Sequence, residues 1–268
     1  MQEERSKPHV VFDTSVPHSA RVYNYWLGGK DNFQADREAA EFVIANSPIV
    51  LVNVRAQRAF LGRVVHHLAA EWGIRQFLDV GTGLPTANNT HEVAQRAAPE
   101  ARVVYVDNDP IVLLHARELL TSSPQGMTAY LDADARDPDK ILEEADGTLD
   151  FSRPVAVLLL GVLHSISEED DPYAIVRRLM AAVPSGSYLV ISQMASDVLE
   201  RATNTMQGYN QRGGTPVTPR TEAQVTRFFD GLELLEPGVT QPNRWRPGVG
   251  LTDARQRIPI YCGVARKP

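Results

Sequence analysis

The sequence predicts an α/β fold in which a mostly parallel sheet carries helices on both faces and ends in an antiparallel hairpin. Five short apolar runs alternate with stretches of helical character, and this alternation is typical of a parallel sheet. The runs are residues 76–80, 103–106, 127–131, 155–160 and 188–192. Two more extended runs, 232–239 and 258–265, have no helical stretch between them and therefore predict the hairpin.

Helical periodicity and capping signals separate these runs. Residues 47–73 carry apolar side chains at three- and four-residue spacing, which predicts a long amphipathic helix that ends at Gly73. Within it, Arg55, Arg58 and Arg63 have the spacing of a solvated helix face. Three later helices begin at residues that can cap a helix N-terminus. These are Asn89, three residues before Glu92; Asp109, directly before Pro110; and Thr221, three residues before Gln224.

Two regions lie outside the alternating core. We expect residues 1–50 to form an N-terminal helical extension and residues 51–268 to form one Rossmann-like α/β domain. Residues 195–219 interrupt the step from the fifth strand to the next helix. Because ligands bind at the carboxyl side of a parallel sheet, we expect the extension to cover the ligand and 195–219 to act as a substrate lid.

Composition and charge exclude several classes of protein. The formal net charge of −6 gives no basic surface for a phosphate backbone, so we expect no nucleic-acid partner. The longest apolar stretch, 155–163, is far shorter than the ~20 residues that span a bilayer, and the first residues lack a signal-peptide core. With one cysteine, Cys262, the chain is expected to be cytoplasmic. Zinc, Walker and hydrolase motifs are missing from the sequence, so no metal site is expected.

A glycine-rich turn directly follows the first predicted strand. Its glycines let the backbone bend sharply and approach a ligand where a Cβ would collide. A dinucleotide fingerprint would have a third glycine at position 86, where this chain has Thr86 beside Pro85, so a nicotinamide cofactor is disfavoured. The candidate binding residues of the turn are Asp79, Gly81, Thr82 and Gly83.

Acidic residues follow the next two strands along the same edge of the predicted sheet. Asp107 ends the second strand, where a carboxylate can accept both hydroxyl hydrogens of a ribose, and Asn108 follows it. A helix-capping role is the alternative for Asp107, but Asp109 already fills it. After the third strand, Asp134 can accept from the exocyclic amine of adenine while the Ala135 amide meets a ring nitrogen. A solvated acidic turn is the alternative for Asp134.

Candidate catalytic groups occur in two further places. The fourth strand ends at Gly161, which permits close ligand approach, and His164 follows in an apolar setting. His164 is either a general base or a packing and orienting residue. Residues 17–32 concentrate aromatic and hydrogen-bonding groups, and core packing is the alternative role of the aromatics. From this segment we take His18 and Tyr23 as the other two candidate bases.

These segments resemble the S-adenosylmethionine-dependent methyltransferase-like proteins abundant in actinomycetes, long catalogued as a domain of unknown function. The matching stretches are HSARVYNYWLGGKDNFQADRE, FLDVGTGLPTANNTHEVAQ, VVYVDNDPIVLLHARELL, GGTPVTPRTEAQVTRFFDGLELLEPGV and YCGVARK. They extend over nearly the whole chain from residue 17. The resemblance implies a class I methyltransferase fold with a seven-stranded sheet, S-adenosylmethionine as cofactor and S-adenosylhomocysteine as product.

The resemblance also implies roles for single residues. It puts Gly81 and Gly83 in the cofactor loop, Asp107 at the ribose, and Asp134 with Ala135 at the adenine. It further implies that the segment PHSARVYNY closes over the cofactor, with Arg21 and Tyr23 near its amino-acid end or near the acceptor.

The resulting hypothesis is a methyltransferase that acts on an unidentified small molecule. Methyl transfer from a sulfonium requires mainly alignment and exclusion of water, so an amine acceptor needs no base, whereas a hydroxyl acceptor needs one. A non-catalytic sensor or partner protein that binds S-adenosylmethionine is the first alternative, because a fold does not fix a function. An NAD-dependent oxidoreductase is the second, and both Thr86 and the terminal hairpin oppose it.

Overall fold

Seven strands form one sheet in the computed structural model, which describes residues 13–119, 121–247 and 255–268. The strands are β1 (Gln76–Val80), β2 (Arg102–Asp107), β3 (Met127–Asp132), β4 (Ala156–Leu160), β5 (Tyr188–Met194), β6 (Glu233–Leu234) and β7 (Ile260–Arg266). Their order is β3-β2-β1-β4-β5-β7-β6. Strands β1 to β5 are parallel, and β7 is antiparallel to β5 and β6. The predicted parallel sheet with a C-terminal antiparallel pair is confirmed.

The strand order reverses direction at β1. From β1 the chain adds β2 and β3 on one side, then crosses back and adds β4 and β5 on the other. Asp79 of β1 consequently lies beside Tyr105 of β2 and Leu158 of β4. Ligands of open α/β sheets bind outside the carboxyl ends of the strands at such a switch point. The fold therefore puts the ends of β1 and β4 at the centre of the expected site.

Helices flank the strands within the described ranges. They are α1 (Ser19–Trp26), α2 (Gln34–Asn46), α3 (Val50–Ala70), α4 (Thr90–Ala97), α5 (Pro110–Leu119), α6 (Pro138–Ala145), α7 (Pro172–Ala182), α8 (Glu200–Asn210) and α9 (Glu222–Thr226). The predicted helix starts are confirmed, because Asn89 and Thr221 form capping boxes and Asp109 accepts a hydrogen bond from the Ile111 amide at 2.9 Å. Among these helices none alone is long and apolar enough to cross a membrane; α2 and α3 meet that test only together, as a pair bent by 105°.

Alternate residues of the strands point into two separate helical layers. In β1, Leu78 and Val80 pack with α6 and α7, whereas Phe77 packs with α3 and α4 on the opposite face. This two-residue period is that of a strand covered on both faces. All three side chains are at most 1% exposed, and burial of each contributes about 1.5–3 kcal/mol. The predicted helices on both faces of the sheet are thereby confirmed.

A third apolar cluster joins the N-terminal extension to the insert after β5. Val22 of α1 and Val43 of α2 pack with Met206 and Tyr209 of α8. Helix α8 lies inside the region 195–219, so this region is partly helical. Helices α1, α2 and α8 are called the helical cap below, and they pack on the N-terminal end of α3.

The terminal hairpin is shorter than the sequence pattern predicts. The run 232–239 contributes only the two residues of β6 to the regular ladder. Pro237 has no N–H to donate, and Gly238 has a φ of 80°, so regular pairing stops there. Pairing resumes at Thr240, which bridges Cys262 of β7.

Candidate active site

A cavity of about 480 Å³ lies along the carboxyl edge of β1 to β5, beneath the helical cap. Its volume falls within the range usual for small-molecule sites. The sequence-predicted residues that line it are Asp79, Gly81, Thr82, Gly83, Asp107, Asn108, Asp134, Ala135, Gly161, His164, His18 and Tyr23. Residues far apart in the sequence are thus brought to one wall by the parallel strand ends.

Arg21 is the candidate that the structure does not bring to the cavity wall. Its guanidinium donates to the Val16 carbonyl at 3.0 Å, and its Nε lies 3.4 Å from Asp36 Oδ1 and 3.8 Å from Asp109 Oδ2. All of these contacts are buried or half-buried. Arg21 therefore ties the extension to α2 and α5, because its charge is already compensated inside the protein. The expectation that it reaches the cofactor has no support from its position.

The two glycines of the turn after β1 have different physical requirements. Gly81 and Gly83 both have positive φ, 75° and 67°, which favours glycine. A Cβ on Gly81 would lie 2.4 Å from the Val162 side chain, so internal packing requires this glycine. A Cβ on Gly83 would meet no atom within 4 Å. The Gly81 amide also donates to the Val106 carbonyl at 2.8 Å, so the turn is fixed to β2 and open at Gly83.

Asp107 is held rigidly at the end of β2. Its Oδ2 accepts from the Gly83 amide at 2.8 Å, and its Oδ1 accepts from the Asp109 amide at 3.0 Å. Burial raises the pKa of Asp107, and these two amide bonds oppose the shift. Each carboxylate oxygen can accept a second hydrogen bond. The side chain therefore offers one acceptor position on each oxygen to a pair of hydroxyls.

Asp134 differs from Asp107 because its acceptor positions are already filled. Its Oδ1 accepts from the amide and Nε of Arg136, both at 2.9 Å, and its Oδ2 accepts from Arg136 Nη2 at 2.6 Å and Asn108 Nδ2 at 3.0 Å. Hydrogen bonds from the Arg136 side chain lead the effects that lower the pKa of Asp134 to about 2. An adenine amine would have to displace one of these donors. We therefore expect Asp134 to contribute less to ligand binding than Asp107.

Asp79 is a buried carboxyl group at the centre of the cavity edge. It is 5% exposed, and Thr90 Oγ1 donates to its Oδ2 at 2.6 Å. Burial raises the pKa of Asp79 to about 6, against the opposing effects of Thr90 and of the positive charge of Arg58. A cation that binds beside Asp79 would favour its ionised form.

The loop after β4 brings Gly161 and His164 to the cavity. A Cβ on Gly161 would lie 2.5 Å from Gln57 Nε2, so this glycine lets the side chain of Gln57 pass close to the strand end. Burial and the positive charge of Arg220 lower the pKa of His164 to about 4. The imidazole is therefore uncharged at neutral pH, and its buried Nδ1 has no hydrogen-bond partner among the described residues.

The two upstream candidate bases have internal partners. Tyr23 donates its hydroxyl hydrogen to the Val54 carbonyl at 3.2 Å, and burial raises the pKa of Tyr23 to about 12. Its phenol therefore stays protonated and is a poor base. His18 precedes α1, with Nδ1 3.0 Å from Asp109 Oδ2 and 3.4 Å from the Ala20 amide.

Helix α3 supplies site residues that the sequence analysis did not identify. Asn53, Gln57 and Arg58 line the cavity from one face of this helix. Arg58 was expected on a solvated face, but it donates to the carbonyls of Ala87 and Asn88 at 3.0 and 3.1 Å. The sequence did contain a signal for these residues. Asn53 and Gln57 are polar and four residues apart, on a helix face that is otherwise apolar.

The charges at one end of the cavity suit a cationic ligand. Asp79, Asp107 and Asp134 line the ends of β1, β2 and β3. Arg136 pairs with Asp134, and Arg58 lines the same cavity, so Asp79 and Asp107 are the carboxyl groups that would repel a pyrophosphate and attract a sulfonium or an ammonium group. The donor and acceptor set therefore fits S-adenosylmethionine and disfavours NAD. Within the described part of the chain, no group of three His, Cys, Asp or Glu residues could hold a metal ion.

A sheet that closes with an antiparallel pair differs from a plain dinucleotide-binding fold, which would continue with βα units. With an acid-lined cavity at its switch point, this is the fold of a class I methyltransferase. A family model described as S-adenosyl methyltransferase matches residues 5–268. The chain belongs to this S-adenosyl methyltransferase family; it is an enzyme, and its cofactor is S-adenosylmethionine. None of the curated proteins compared with it matches the sequence.

Solved structures agree with the family assignment. A DUF574 family protein from Streptomyces avermitilis MA-4680 is 47% identical with a TM-score of 0.92, and the match covers 96% of this chain and 99% of that one. A methyltransferase candidate from Thermobifida fusca YX is 40% identical with a TM-score of 0.87, over 95% and 96% of the two chains. Human N-acetylserotonin methyltransferase in complex with S-adenosylmethionine is 15% identical with a TM-score of 0.50, over 91% and 62%, and shows the fold alone.

Proposed function

We propose that this enzyme transfers the methyl group of S-adenosylmethionine to a small molecule held inside the cavity. The observation that carries the proposal is one cavity that extends from Asp134, after β3, to Met194, at the end of β5. Such a cavity can hold a cofactor and an acceptor side by side. We assign the ribose to Asp107 and the amino-acid end of the cofactor to the turn from Asp79 to Gly83.

The chemistry requires alignment more than proton transfer. When bound, the cofactor supplies a sulfonium methyl carbon; an acceptor lone pair bonds to that carbon, and the carbon–sulfur bond breaks with its electron pair left on sulfur. The task of the chain is to orient the acceptor and to exclude water. We propose that residues 13–50, the described part of the N-terminal extension 1–50, cover the cofactor and that 195–219 acts as a substrate lid. Met206, Tyr209 and Val217 support the lid because they line the cavity from that insert.

The described contacts favour His164 among the candidate bases as the group that meets the acceptor. Tyr23 is occupied by the Val54 carbonyl, and His18 lies beside Asp109. The His164 side chain lines the cavity and is uncharged, so an imidazole nitrogen can accept a hydrogen bond there. We propose that it orients the acceptor by that bond.

Turnover distinguishes an enzyme that modifies a metabolite from a binding protein. The purified protein, given S-adenosylmethionine and a small-molecule metabolite extract, is expected to release S-adenosylhomocysteine in amounts that depend on the extract. An Asp107→Ala variant is the matched control and should release none above background. Binding of the cofactor without release in any extract would favour the sensor alternative.

Cofactor affinity is expected to fall as the pH is lowered through 6. The pKa of Asp79 is about 6 without ligand, and a cationic ligand lowers it, so binding releases a proton from the protonated form. Affinity is therefore full above this pKa and roughly tenfold weaker one pH unit below it. Calorimetry of S-adenosylmethionine binding between pH 5 and 8 measures the profile. The same slope in an Asp79→Asn variant would contradict the assignment.

Replacing Tyr23 by phenylalanine is expected to change cofactor affinity and turnover by no more than about fivefold. The substitution removes one hydrogen bond to the Val54 carbonyl, worth about 1 kcal/mol, and no base. Tyr25→Phe is the matched control, because that hydroxyl bonds the exposed Glu41 side chain. A hundredfold loss of turnover at Tyr23 alone, with affinity unchanged, would assign Tyr23 to the chemistry instead.

We also propose a cytoplasmic location and a small-molecule partner. The one cysteine, Cys262, is a buried free thiol, which suits a reducing compartment. A net charge of −6 gives no general attraction to phosphate backbones, which supports a small molecule over a nucleic acid.

A further inference from the structure

We propose that Arg58 binds the carboxylate of the cofactor's amino-acid end, opposite Asp79, and thereby selects S-adenosylmethionine over a form of the cofactor that lacks this carboxylate. The assignment rests on the proposed function, which puts the amino-acid end at the turn from Asp79 to Gly83. Arg58 lies on α3, outside that turn, and would be a specificity-determining residue of the cofactor site.

Arg58 brings a positive charge without a partner to the cavity wall. Of the two arginines among the described lining residues, Arg136 pairs with Asp134 at 2.6 Å. Arg58 is half-buried and forms no ion pair with a described carboxyl group. Partial burial removes some of the water around a guanidinium, and an anion beside it compensates for that loss. The wall at Arg58 therefore indicates an anionic group in the ligand.

The guanidinium of Arg58 is held by the loop that follows the turn after β1. Its Nη2 donates to the carbonyls of Ala87 and Asn88 at 3.0 and 3.1 Å. Its Nε and Nη1 make no hydrogen bond to a described residue, and neither nitrogen is sealed from solvent. A guanidinium that is already fixed at one nitrogen loses little freedom when a ligand binds, and its remaining N–H groups are donors suited to a carboxylate.

Asp79 supplies the opposite charge in the same cavity. Thr90 Oγ1 donates to its Oδ2 at 2.6 Å, whereas its Oδ1 makes no hydrogen bond to a described residue. Burial raises the pKa of Asp79 to about 6, and the positive charge of Arg58 is one of the effects that oppose this shift. The two groups thus interact electrostatically although they form no ion pair. Opposite charges that interact without contact leave room between them for a group that carries both charges in reverse order.

An α-amino acid head group has this arrangement of charges. Its ammonium and its carboxylate are attached to one carbon, so the ammonium can face Asp79 while the carboxylate faces Arg58. Without the carboxylate, the cofactor would bring only its sulfonium and its ammonium to this site, and the guanidinium would repel both. Arg58 therefore favours the intact cofactor by attraction and disfavours the decarboxylated form by repulsion.

Two forms of the cofactor that differ only in this carboxylate test the inference. S-adenosylmethionine and decarboxylated S-adenosylmethionine are each titrated into the purified full chain by calorimetry at neutral pH. We expect the wild type to bind the intact form at least about tenfold more tightly. In an Arg58→Gln variant, affinity for the intact form should fall by about tenfold or more, while affinity for the decarboxylated form stays unchanged or rises.

Arg55→Gln is the matched control, because it removes the same charge from the same helix. Arg55 is exposed and is not among the residues that line the cavity. Both affinities should stay within about twofold of the wild type in this variant. Arg58→Lys keeps the charge without the planar fork, so it should recover part of the preference for the intact form.

Three results would overturn the inference while the cofactor still binds. Equal binding of the two forms by the wild type would leave the charge of Arg58 to the acceptor. An equal loss of both affinities in Arg58→Gln would show that Arg58 only holds the loop at Ala87 and Asn88. The same loss in Arg55→Gln would reduce the effect to net charge.

Turnover keeps the two proposals separate. If the expected binding pattern is found but no metabolite extract gives S-adenosylhomocysteine, the proposed methyl transfer fails and the role of Arg58 stands. If turnover is found without the expected pattern, the role of Arg58 fails alone. Binding of neither form by the wild type would overturn both.

Discussion

Replacing Asp107 by alanine is expected to weaken S-adenosylmethionine binding by about a hundredfold or more. The carboxylate would make two charge-assisted hydrogen bonds to the ribose, each worth about 1.5–3 kcal/mol. It also accepts a hydrogen bond from the Gly83 amide at 2.8 Å, so its loss would loosen the turn to which we assign the amino-acid end of the cofactor. Calorimetry with S-adenosylmethionine and S-adenosylhomocysteine measures the effect.

Asp134→Ala is the matched control for this prediction. Both acids end neighbouring strands, but Asp134 already accepts four hydrogen bonds from Arg136 and Asn108. We expect that variant to lose less than about tenfold in affinity. An Asp107→Ala protein that melts like the wild type and binds within tenfold of it would contradict the ribose assignment. A larger loss of affinity in Asp134→Ala than in Asp107→Ala would assign the main cofactor contact to Asp134.

Replacing Arg220 by methionine is expected to destabilise the protein by about 2–6 kcal/mol, because two buried carbonyls lose their donor at about 1–3 kcal/mol each. Its side chain is 0% exposed, and its guanidinium donates to the carbonyls of Leu163 and Ile166 at 2.7 and 2.8 Å and to Glu168 Oε1 at 2.8 Å. Methionine keeps the apolar packing but leaves these buried carbonyls unpaired. The melting temperature should fall by roughly 4–12 °C, at about 2 °C per kcal/mol for a domain of this size.

A Glu168→Gln variant removes the ion pair of Arg220 but keeps its hydrogen bonds to the buried carbonyls, so it measures the ion pair alone. The Glu168 side chain is 51% exposed, so loss of its charge should cost less than about 1 kcal/mol.

Because Leu163 and Ile166 flank His164, Arg220→Met should also weaken acceptor binding more than cofactor binding. Equal melting temperatures for Arg220→Met and the wild type would show that the loop after β4 is held by other contacts.

The fold could be predicted from the sequence because its signals are local. Strand runs, helix periodicity and caps such as Asn89 depend on neighbours a few residues away, and each was confirmed. The first hairpin strand was predicted too long, because the run 232–239 was taken as one strand although Pro237 and Gly238 within it interrupt the ladder.

The site was only partly predictable, because many of its contacts join residues that are distant in the sequence. Residues at the strand ends could be placed on one edge by topology alone, and Asp79, Asp107 and Asp134 do line one cavity. Arg58 could not be recognised as a site residue from the sequence, because the carbonyls that it bonds belong to the loop after β1, about 30 residues away. Arg21 was expected at the cofactor, but only the tertiary contacts show that Asp36 of α2 and Asp109, directly before α5, compensate its charge.

The sequence by itself determined the parallel sheet, the glycine turn from Asp79 to Gly83 and the acid at position 107, because strand periodicity and turn chemistry are encoded within short segments. Only the tertiary structure decided which polar side chains remain unpaired in the cavity. That property depends on contacts among α3, α8 and the strand ends, which no local pattern specifies. Asn53 is an ordinary helix residue in the sequence, and only the folded chain shows that its Oδ1 is buried without a described hydrogen-bond partner.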